Sequence, residues 1–352
     1  MIPRLADLPE TALKGKRVLV RVDFNIENPA DGFRERAILP TLEYLLKAKA
    51  RVVLLSHRSR PHRQETNFTK PVAAVKQSES LKPFLPFLKR HVRREAMFLN
   101  RIPAKLPPRG TLFLIENLRL WTGEEKNDAG FARALAALGD LYVNDAFAVA
   151  HRKNASVVAI TRFLPSYAGL LLTRELEGLA ASLSPARRPF LIILGGGKLD
   201  DKIRIMRRLE AKAGKIILGS AILNDPSLID ITSPKIMVPV DFIGEGETAL
   251  DIGPLTAAEI EEEIKHAKTV IWNGPVGQFE VPRYSMGSKR IAYCIAHSRV
   301  YSVVGGGETT QLITDMKLED KIDFLSTGGG AMLTFLAGEK LPAVEAMKNA
   351  SH

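Results

Sequence analysis

The stretch that most constrains this chain is Pro189–Ile203, which reads PFLIILGGGKLDDKI. Phe190–Leu194 is a short apolar run of the kind that forms a strand covered on both faces. Gly195, Gly196 and Gly197 follow, so the backbone can turn sharply and approach a ligand closely. The next residues, KLDDKIRIMRRL, begin a helix, with Leu199, Ile203 and Met206 at helical spacing. Lys198 and Lys202 are four residues apart and share one face of it. Strand, glycine turn, helix N-terminus and two stacked lysines together suit an anion, phosphate above all. The stretch is neither a Walker A loop nor a dinucleotide fingerprint, because GxxxxGK[ST] and GxGxxG are both absent from it. Taken alone, it fits an ordinary strand-to-helix turn with two solvated lysines equally well.

The remainder of the chain repeats the pattern. In the first half, strands are expected at Arg17–Asn25, Ala50–Ser56, Thr111–Asn117 and Asp140–Asp145, with helices at Leu39–Lys49 and Asn127–Leu138 between them. A helix with an apolar stripe is expected over Ser166–Ser182, and Pro185–Pro189 reads as a linker, which puts a domain boundary near Ser184. The second half offers strands at Phe190–Leu194, Lys215–Leu218, Lys235–Val240, Thr269–Trp272, Val300–Val304 and Ile322–Leu325, with helices such as Ala257–His266 and Met286–His297. Strands alternating with helices predict parallel βαβ units, hence an α/β protein. Two more glycine turns, GGGETT at Gly305–Thr310 and STGGGA at Ser326–Ala331, follow strands as Gly195–Gly197 does. Three such turns at the ends of parallel strands converge on one crevice of a doubly wound sheet, where ligands bind.

A chain of 352 residues with 45% apolar content can bury two domain cores. Its one cysteine, Cys294, excludes an internal disulfide and fits a reducing compartment. The N-terminus has no apolar segment of the secretory kind, and no apolar run is long enough to span a bilayer, so a cytoplasmic protein with no membrane partner is expected. The net charge of +11 favours anionic partners. The densest basic run, Lys89–Arg109, has only Phe98 among aromatics, so it reads as a solvated face, and nucleic acid is not the expected partner.

In the first half, polar residues cluster just after the strands: Asp23 and Asn25, His57 and Arg60, Arg119, and His151 with Arg152, while Arg34 lies in the loop after the first strand. Parallel strands end on one edge, and several guanidiniums there suit a small molecule bearing carboxylate and phosphate. The histidines lack zinc-ligand spacing, and no GxSxG elbow is present. The acidic candidate for a hard cation is Glu308 beside Thr309. Its position also fits a carboxylate that simply complements a helix N-terminus.

Ten segments in order now carry a resemblance: LVRVDFN, LPTLEYLL, SHRSRP, IENLRLWTGEEKND, YVNDAFAVAHR, ILGGGKLDDKI, LDIGPLT, WNGPVGQFE, VGGGETT and STGGGA. Their sequence and order resemble phosphoglycerate kinases over nearly the whole chain. The resemblance implies two Rossmann-like α/β domains with parallel sheets facing across a cleft and joined by a hinge helix. Residues 1–170 would bind 3-phosphoglycerate and be joined by the returning segment 332–352. Residues 171–184 would link the domains, and 185–331 would bind nucleotide. It implies a phosphotransferase with a carboxyl group as acceptor, moving a phosphoryl group between 1,3-bisphosphoglycerate and ADP to give 3-phosphoglycerate and ATP. Magnesium is the implied cofactor, and a glycolytic monomer the implied form.

Position by position, the resemblance assigns Asp23 and Asn25 to the hydroxyl and carboxylate end of 3-phosphoglycerate, and His57, Arg60, Arg119 and Arg152 to a basic patch for its phosphate. Arg34 matches the catalytic arginine six residues before Pro40 and also touches substrate. Lys198 and Lys202 match lysines that meet the nucleotide and the phosphoryl group in transit, next to Gly195 and Gly196. Asn273, Pro275 and Glu280 match the nucleotide-side loop. Gly305, Gly306, Gly307, Glu308 and Thr309, with Gly328–Gly330, match turns facing the phosphates, Gly307 and Gly330 with catalytic roles and Glu308 at the metal.

The chain departs from the family pattern in places. Glu308 stands where aspartate is usual, HRSRP puts Arg58 and Ser59 where leucine and glycine are usual, and GGGKLDDK replaces GGAKVSDK. The segment between Leu218 and Lys235 is short, as is the one after Asp241, and both belong to parts that normally enclose the adenine. Alternative readings are therefore a kinase with altered nucleotide preference, or a catalytically weakened kinase-fold protein that binds polyanions or nucleic acid. A nicotinamide-dependent dehydrogenase would need the GxGxxG turn that is missing.

Overall fold

The structure is a computed structural model that describes residues 2–26, 32–61, 65–72, 75–184, 187–197, 199–224 and 233–350, without the side chains of 199–204. The chain divides into two compact units, Met1–Glu175 with Lys340–His352, and Leu176–Glu339. The division falls inside the Leu170–Ser182 helix, earlier than the linker near Ser184. The returning segment starts at Lys340, not at residue 332: residues up to 336 finish the Gly330–Leu336 helix, whose last carbonyl accepts from Lys212 Nζ at 2.8 Å within the second unit.

The first unit holds six strands: β1 (Arg17–Arg21), β2 (Arg51–Leu55), β3 (Ala96–Leu99), β4 (Leu112–Ile115), β5 (Leu141–Asn144) and β6 (Ser166–Ala168). They form one sheet in the order β3-β4-β2-β1-β5-β6, every neighbouring pair parallel. Successive side chains on a strand point to opposite faces. Leu19, Val53, Phe113 and Tyr142, in register across four strands, fall in one buried cluster with Trp121 and Phe131. Val18, Val52 and Leu112 fall in the other, with Phe24, Leu42 and Phe84. The strand interiors are apolar because side chains on both faces have a core to enter, with polar residues such as Arg17, Arg21, Arg51 and Asn144 at the strand ends. Two strands were not expected. β3 lies within the basic run, its residues mostly half-buried beside exposed Arg93, Arg94 and Arg101. β6 occupies the start of the expected Ser166–Ser182 helix, which begins at Leu170.

The second unit contains β7 (Phe190–Leu194), β8 (Lys215–Leu218), β9 (Ile236–Met237), β10 (Phe242–Glu245), β11 (Thr248–Ile252), β12 (Thr269–Asn273), β13 (Tyr301–Gly305) and β14 (Phe324–Ser326). Its large sheet runs β14-β13-β12-β7-β8-β9, again with every pair parallel. The chain winds outward one way from β7 and the other way from β12, so the topological switch point, where open α/β sheets bind ligands, lies between them. Of the expected Lys235–Val240 strand, only two residues pair. After it, β10 and β11 form an unexpected antiparallel hairpin.

At the end of β5, Asp145 accepts from the backbone N–H groups of Leu171 (2.9 Å) and Leu172 (3.2 Å) at the start of the Leu170–Ser182 helix. Its other oxygen is buried without a partner among the described residues. Burial outweighs the Thr41 hydroxyl and the two helix amides and pushes its pKa up to about 6. The folded chain thus holds this proton more tightly than an unfolded aspartate, whose value is near 4. The resulting stabilisation is complete below about pH 4 and is lost as pH rises through about 6. Relative to Asp145→Asn, the native chain should lose roughly 3 kcal/mol between about pH 4 and pH 7. Urea unfolding of both proteins across that range checks this, and a pH-independent difference would refute it.

Candidate functional site

In the first unit, the expected substrate residues meet at the ends of β1, β2 and β5. Asp23 is 7% exposed two residues after β1. Its Oδ1 accepts from the Asn25 backbone N–H at 3.1 Å, and its Oδ2 pairs with Arg34 Nη2. Arg34 stands on the short Phe33–Arg36 helix, and its Nη1 also reaches the Asn25 carbonyl at 3.4 Å. The Asn25 side chain turns the other way and accepts from Ser59 N–H at 2.8 Å. Arg119 donates to the Ser59 carbonyl at 2.7 Å, and its Nε lies 3.5 Å from Glu125. Arg60 is exposed and Arg152 half-buried, and both are close enough for their charges to act on Arg119.

The electrostatics of this edge are those of cations short of an anion. Burial, then repulsion from Arg152, Arg21 and Arg60, pulls the Arg119 pKa down to about 10 against the opposing pull of Glu125. Arg152 is lowered by burial and by Arg60. Asp23 goes the other way: burial favours its acid form, but Arg34, His57, Arg21 and the Asn25 amide together hold it at about 2. It is ionised at any physiological pH. A ligand with two anionic groups would relieve the repulsion among the guanidiniums and take bidentate hydrogen bonds from them.

The structure explains two departures in this region. Ser59 has φ 56°, in the left-handed region where glycine pays no steric penalty, which is why glycine suits that position. Arg58, in place of leucine, is 3% exposed and serves as a strut. It donates to the carbonyls of Ile26 (3.0 Å), Gln77 (2.8 Å) and Ser80 (2.9 Å) and lies over the Phe84 ring. Sequence reasoning missed Arg21, which sits in the apolar β1 and is 1% exposed; a charge inside a run of core residues is the signal that marks it.

In the second unit, the glycine turns meet around residues 273–276. Gly195 donates to the Asn273 carbonyl at 3.0 Å and Gly196 to the Pro275 carbonyl at 2.7 Å. A Cβ on Gly195 would lie 1.9 Å from the Pro275 oxygen, so only glycine fits there. Asn273 donates through Nδ2 to the Gly305 carbonyl at 3.1 Å, and Gly274 N–H donates to Thr309 Oγ1 at 2.8 Å. Gly306, with φ 100°, precedes the Gly307–Asp315 helix. A Cβ on Gly329, just before the Gly330–Leu336 helix, would lie 3.2 Å from the Gly306 Cα.

Beside this junction is a cavity of about 450 Å³, whose lining includes Gly196, Asn224, Leu250, Pro275, Phe279 and Glu280. Glu308, exposed in the first turn of its helix, lines it as well. Pro275, Glu280 and Glu308 thus share one cavity with the turn after β7. Asn273 is buried and holds the turns together instead of lining it. Lys198 lies outside the described residues, and so does the side chain of Lys202, whose backbone belongs to the Leu199–Glu210 helix. Sequence reasoning missed Asn224. Its amide donates to Ala249 O at 2.7 Å and accepts from Ala249 N at 2.8 Å, clipping β11 to the cavity. The described residues hold no cluster of three or more His, Cys, Asp or Glu side chains able to bind a metal. No helix among them is long and apolar enough to cross a membrane.

A family model described as phosphoglycerate kinase matches residues 8–228 and 224–339. The chain belongs to the phosphoglycerate kinase family. The phosphoglycerate kinase of Moorella thermoacetica is 37% identical over 396 residues, covering 97% of this chain and 98% of that one. That of Koribacter versatilis is 38% identical over 401 residues, with the same coverage. Among solved structures, phosphoglycerate kinase from Pyrococcus horikoshii OT3 has a TM-score of 0.81 at 26% identity, covering 99% of this chain and 98% of that one. The enzyme from Coxiella burnetii has 0.77 at 27% identity, with both chains covered completely. The spans matched in the two bacterial relatives exceed the 352 residues of this chain, so those relatives carry residues it lacks. The two parts of the family match meet at residues 224–228, inside the shortened Leu218–Lys235 segment.

Gly195→Ala should lower unfolding stability by about 3 kcal/mol, because the new methyl group meets backbone, which cannot move aside alone. Urea unfolding measures this, and an unchanged midpoint would mean the two loops separate at no cost.

Proposed function

We propose that the chain transfers a phosphoryl group reversibly between the acyl phosphate of 1,3-bisphosphoglycerate and ADP, with a carboxylate as acceptor in the reverse direction. Family membership makes it a kinase of glycolysis. The observation that carries the finer reading is the edge of guanidiniums around Asp23, which has more positive charge than its own carboxylates balance. In this reading, residues 1–170 with the C-terminal segment bind 3-phosphoglycerate, and residues 185–331 bind ATP or ADP.

The acceptor carboxylate and the nucleotide phosphates are already ionised near neutral pH, so no general base is needed. Catalysis then consists of positioning and of neutralising charge on the group in flight. Asp23 accepts from the substrate hydroxyl, while Asn25, His57, Arg60, Arg119 and Arg152 hold its anionic ends. Arg34 and Lys198 supply positive charge to the transferring group. Lys202, Gly305–Thr309 and Gly330 support the nucleotide phosphates, with backbone N–H groups at the start of the Gly307–Asp315 helix as fixed donors. The cavity bearing Pro275 and Glu280 takes the nucleoside.

Glu308 and Glu280 are exposed carboxylates on the cavity, and Glu308, in the first turn of its helix, fits a magnesium ion that keeps most of its ligands from phosphate and water. Such an ion would neutralise nucleotide phosphate charge when bound. Its protein ligand would be Glu308. We further propose a cytoplasmic monomer.

A coupled assay of 3-phosphoglycerate and ATP with magnesium tests the proposal, and absence of 3-phosphoglycerate-dependent ADP formation would sink it. Repeating the assay with GTP and with manganese reads nucleotide and metal preference. Arg34→Ala should lower kcat by roughly 100-fold or more while leaving the KM for ATP within a few-fold. A change confined to the KM for 3-phosphoglycerate would reduce Arg34 to a binding residue. Lys198→Ala should likewise remove most turnover with a smaller effect on 3-phosphoglycerate binding, and near-normal kcat would remove its proposed role.

A further inference from the structure

His57 follows β2 at the substrate edge and is 1% exposed. Its Nδ1 lies 3.0 Å from Arg21 Nη2. A guanidinium has only N–H groups and does not lose its proton in proteins, so Arg21 donates in this contact and Nδ1 accepts. A ring nitrogen that accepts carries no hydrogen, and the proton of the neutral imidazole is then on Nε2. That nitrogen is buried and has no hydrogen-bond partner among the described residues.

Arg21 is itself held fast. It is 1% exposed, its Nε donates to Ser156 Oγ at 2.9 Å, and its Nη1 donates to the Val22 carbonyl. Ser156 Oγ donates in turn to Glu124 Oε1 at 2.6 Å, and Ser156 N–H to Glu124 Oε2 at 2.9 Å. Glu124, 1% exposed, thereby fixes the far end of a buried chain that runs Glu124, Ser156, Arg21, His57. The charged groups that act on His57 are Arg21, Arg119 and Arg152, which oppose a second proton as burial does, and Asp23, whose Oδ1 is 3.9 Å from Nδ1 and favours it. Burial and the three guanidiniums prevail and hold His57 well below the ordinary histidine value.

We infer that Arg21 is a positioning residue that locks His57 as its neutral Nε2–H tautomer and so reserves one buried N–H donor for an anionic oxygen of the substrate. The part that concerns the substrate rests on the function proposed above. The arrangement has a physical logic. A further full charge beside Arg21, Arg119 and Arg152 would raise their mutual repulsion, whereas a neutral N–H gives the ligand a hydrogen bond without it. An ionised oxygen offers only lone pairs and suits that donor.

The experiment is two-bond proton–nitrogen NMR on the full chain labelled with 15N-histidine, in which His57 is the one ring of seven that disappears in His57→Asn. The native protein should show an unprotonated Nδ1 and a protonated Nε2, unchanged from about pH 8 to about pH 5.5. Arg21→Met should bring a proton to Nδ1 and raise the KM for 3-phosphoglycerate roughly 10-fold or more, with the KM for ATP within two-fold. Arg21→Lys, which restores a donor, should return the native ring signature and most of the affinity. A native ring protonated on Nδ1, or on both nitrogens near pH 7, overturns the inference even if Arg21→Met does not fold. If the native chain fails to turn over 3-phosphoglycerate, the proposed function falls, while the ring signature still decides whether Arg21 sets the tautomer.

Discussion

In a parallel sheet every strand finishes on the same edge, and both faces have to be covered. That constraint shapes both units of this chain. The strand interiors are given over to apolar residues that fill cores on either side, so polar chemistry can only gather where the strands stop. In the first unit that edge carries Asp23, His57, Asn117 and Asn144, and in the second Gly195, Gly219, Asn273, Gly305 and Ser326. One edge supplies charged side chains. The other supplies backbone, made accessible by residues too small to block it.

The charged edge turns on one carboxylate. Asp23 is the common partner of Arg34 and the Asn25 amide, and its charge is felt by His57 and Arg152. The neighbouring arginines outnumber Asp23 and Glu125, and burial together with their mutual repulsion lowers the proton affinities of Arg119 and Arg152. Several of these guanidiniums also have a carbonyl or hydroxyl to donate to: Ser59 O for Arg119, Asn25 O for Arg34, Val22 O and Ser156 Oγ for Arg21. Charge repulsion is left for a ligand to relieve.

Much of this was legible in the sequence, and the reasons differ by element. The parallel strands announce themselves because burial on both faces writes an unbroken apolar run such as FLIIL. The glycine turns after them are visible because Gly195 and Gly306 have no substitute where they stand. β3 was hidden because AMFL is short, sits among arginines and is only half-buried. β10 was hidden for a stronger reason: all four of its residues are exposed, so no burial pattern exists to be read. Asn224 could not be found by spacing, since its partner Ala249 is 25 positions away and contributes only backbone. The order of the motifs identified the family, but only coordinates reveal that Arg58 acts as a strut and that Ser59 occupies a backbone conformation suited to glycine.

The first unit is assembled from both ends of the chain. Ala343 N–H donates to the Ala150 carbonyl at 3.0 Å, Thr161 Oγ1 donates to the Ala346 carbonyl at 3.3 Å, and Leu341, Ala343 and Met347 are buried. On a ribosome, then, residues 1–175 emerge first yet cannot finish their own core until the whole second unit has been made. The second unit has no such dependence and can close as soon as residue 339 is clear of the exit. The order in which the units complete their folding is the reverse of the order in which they begin to appear. Without the Lys340–His352 segment, the first unit exposes apolar surface next to Ala150 and Thr161.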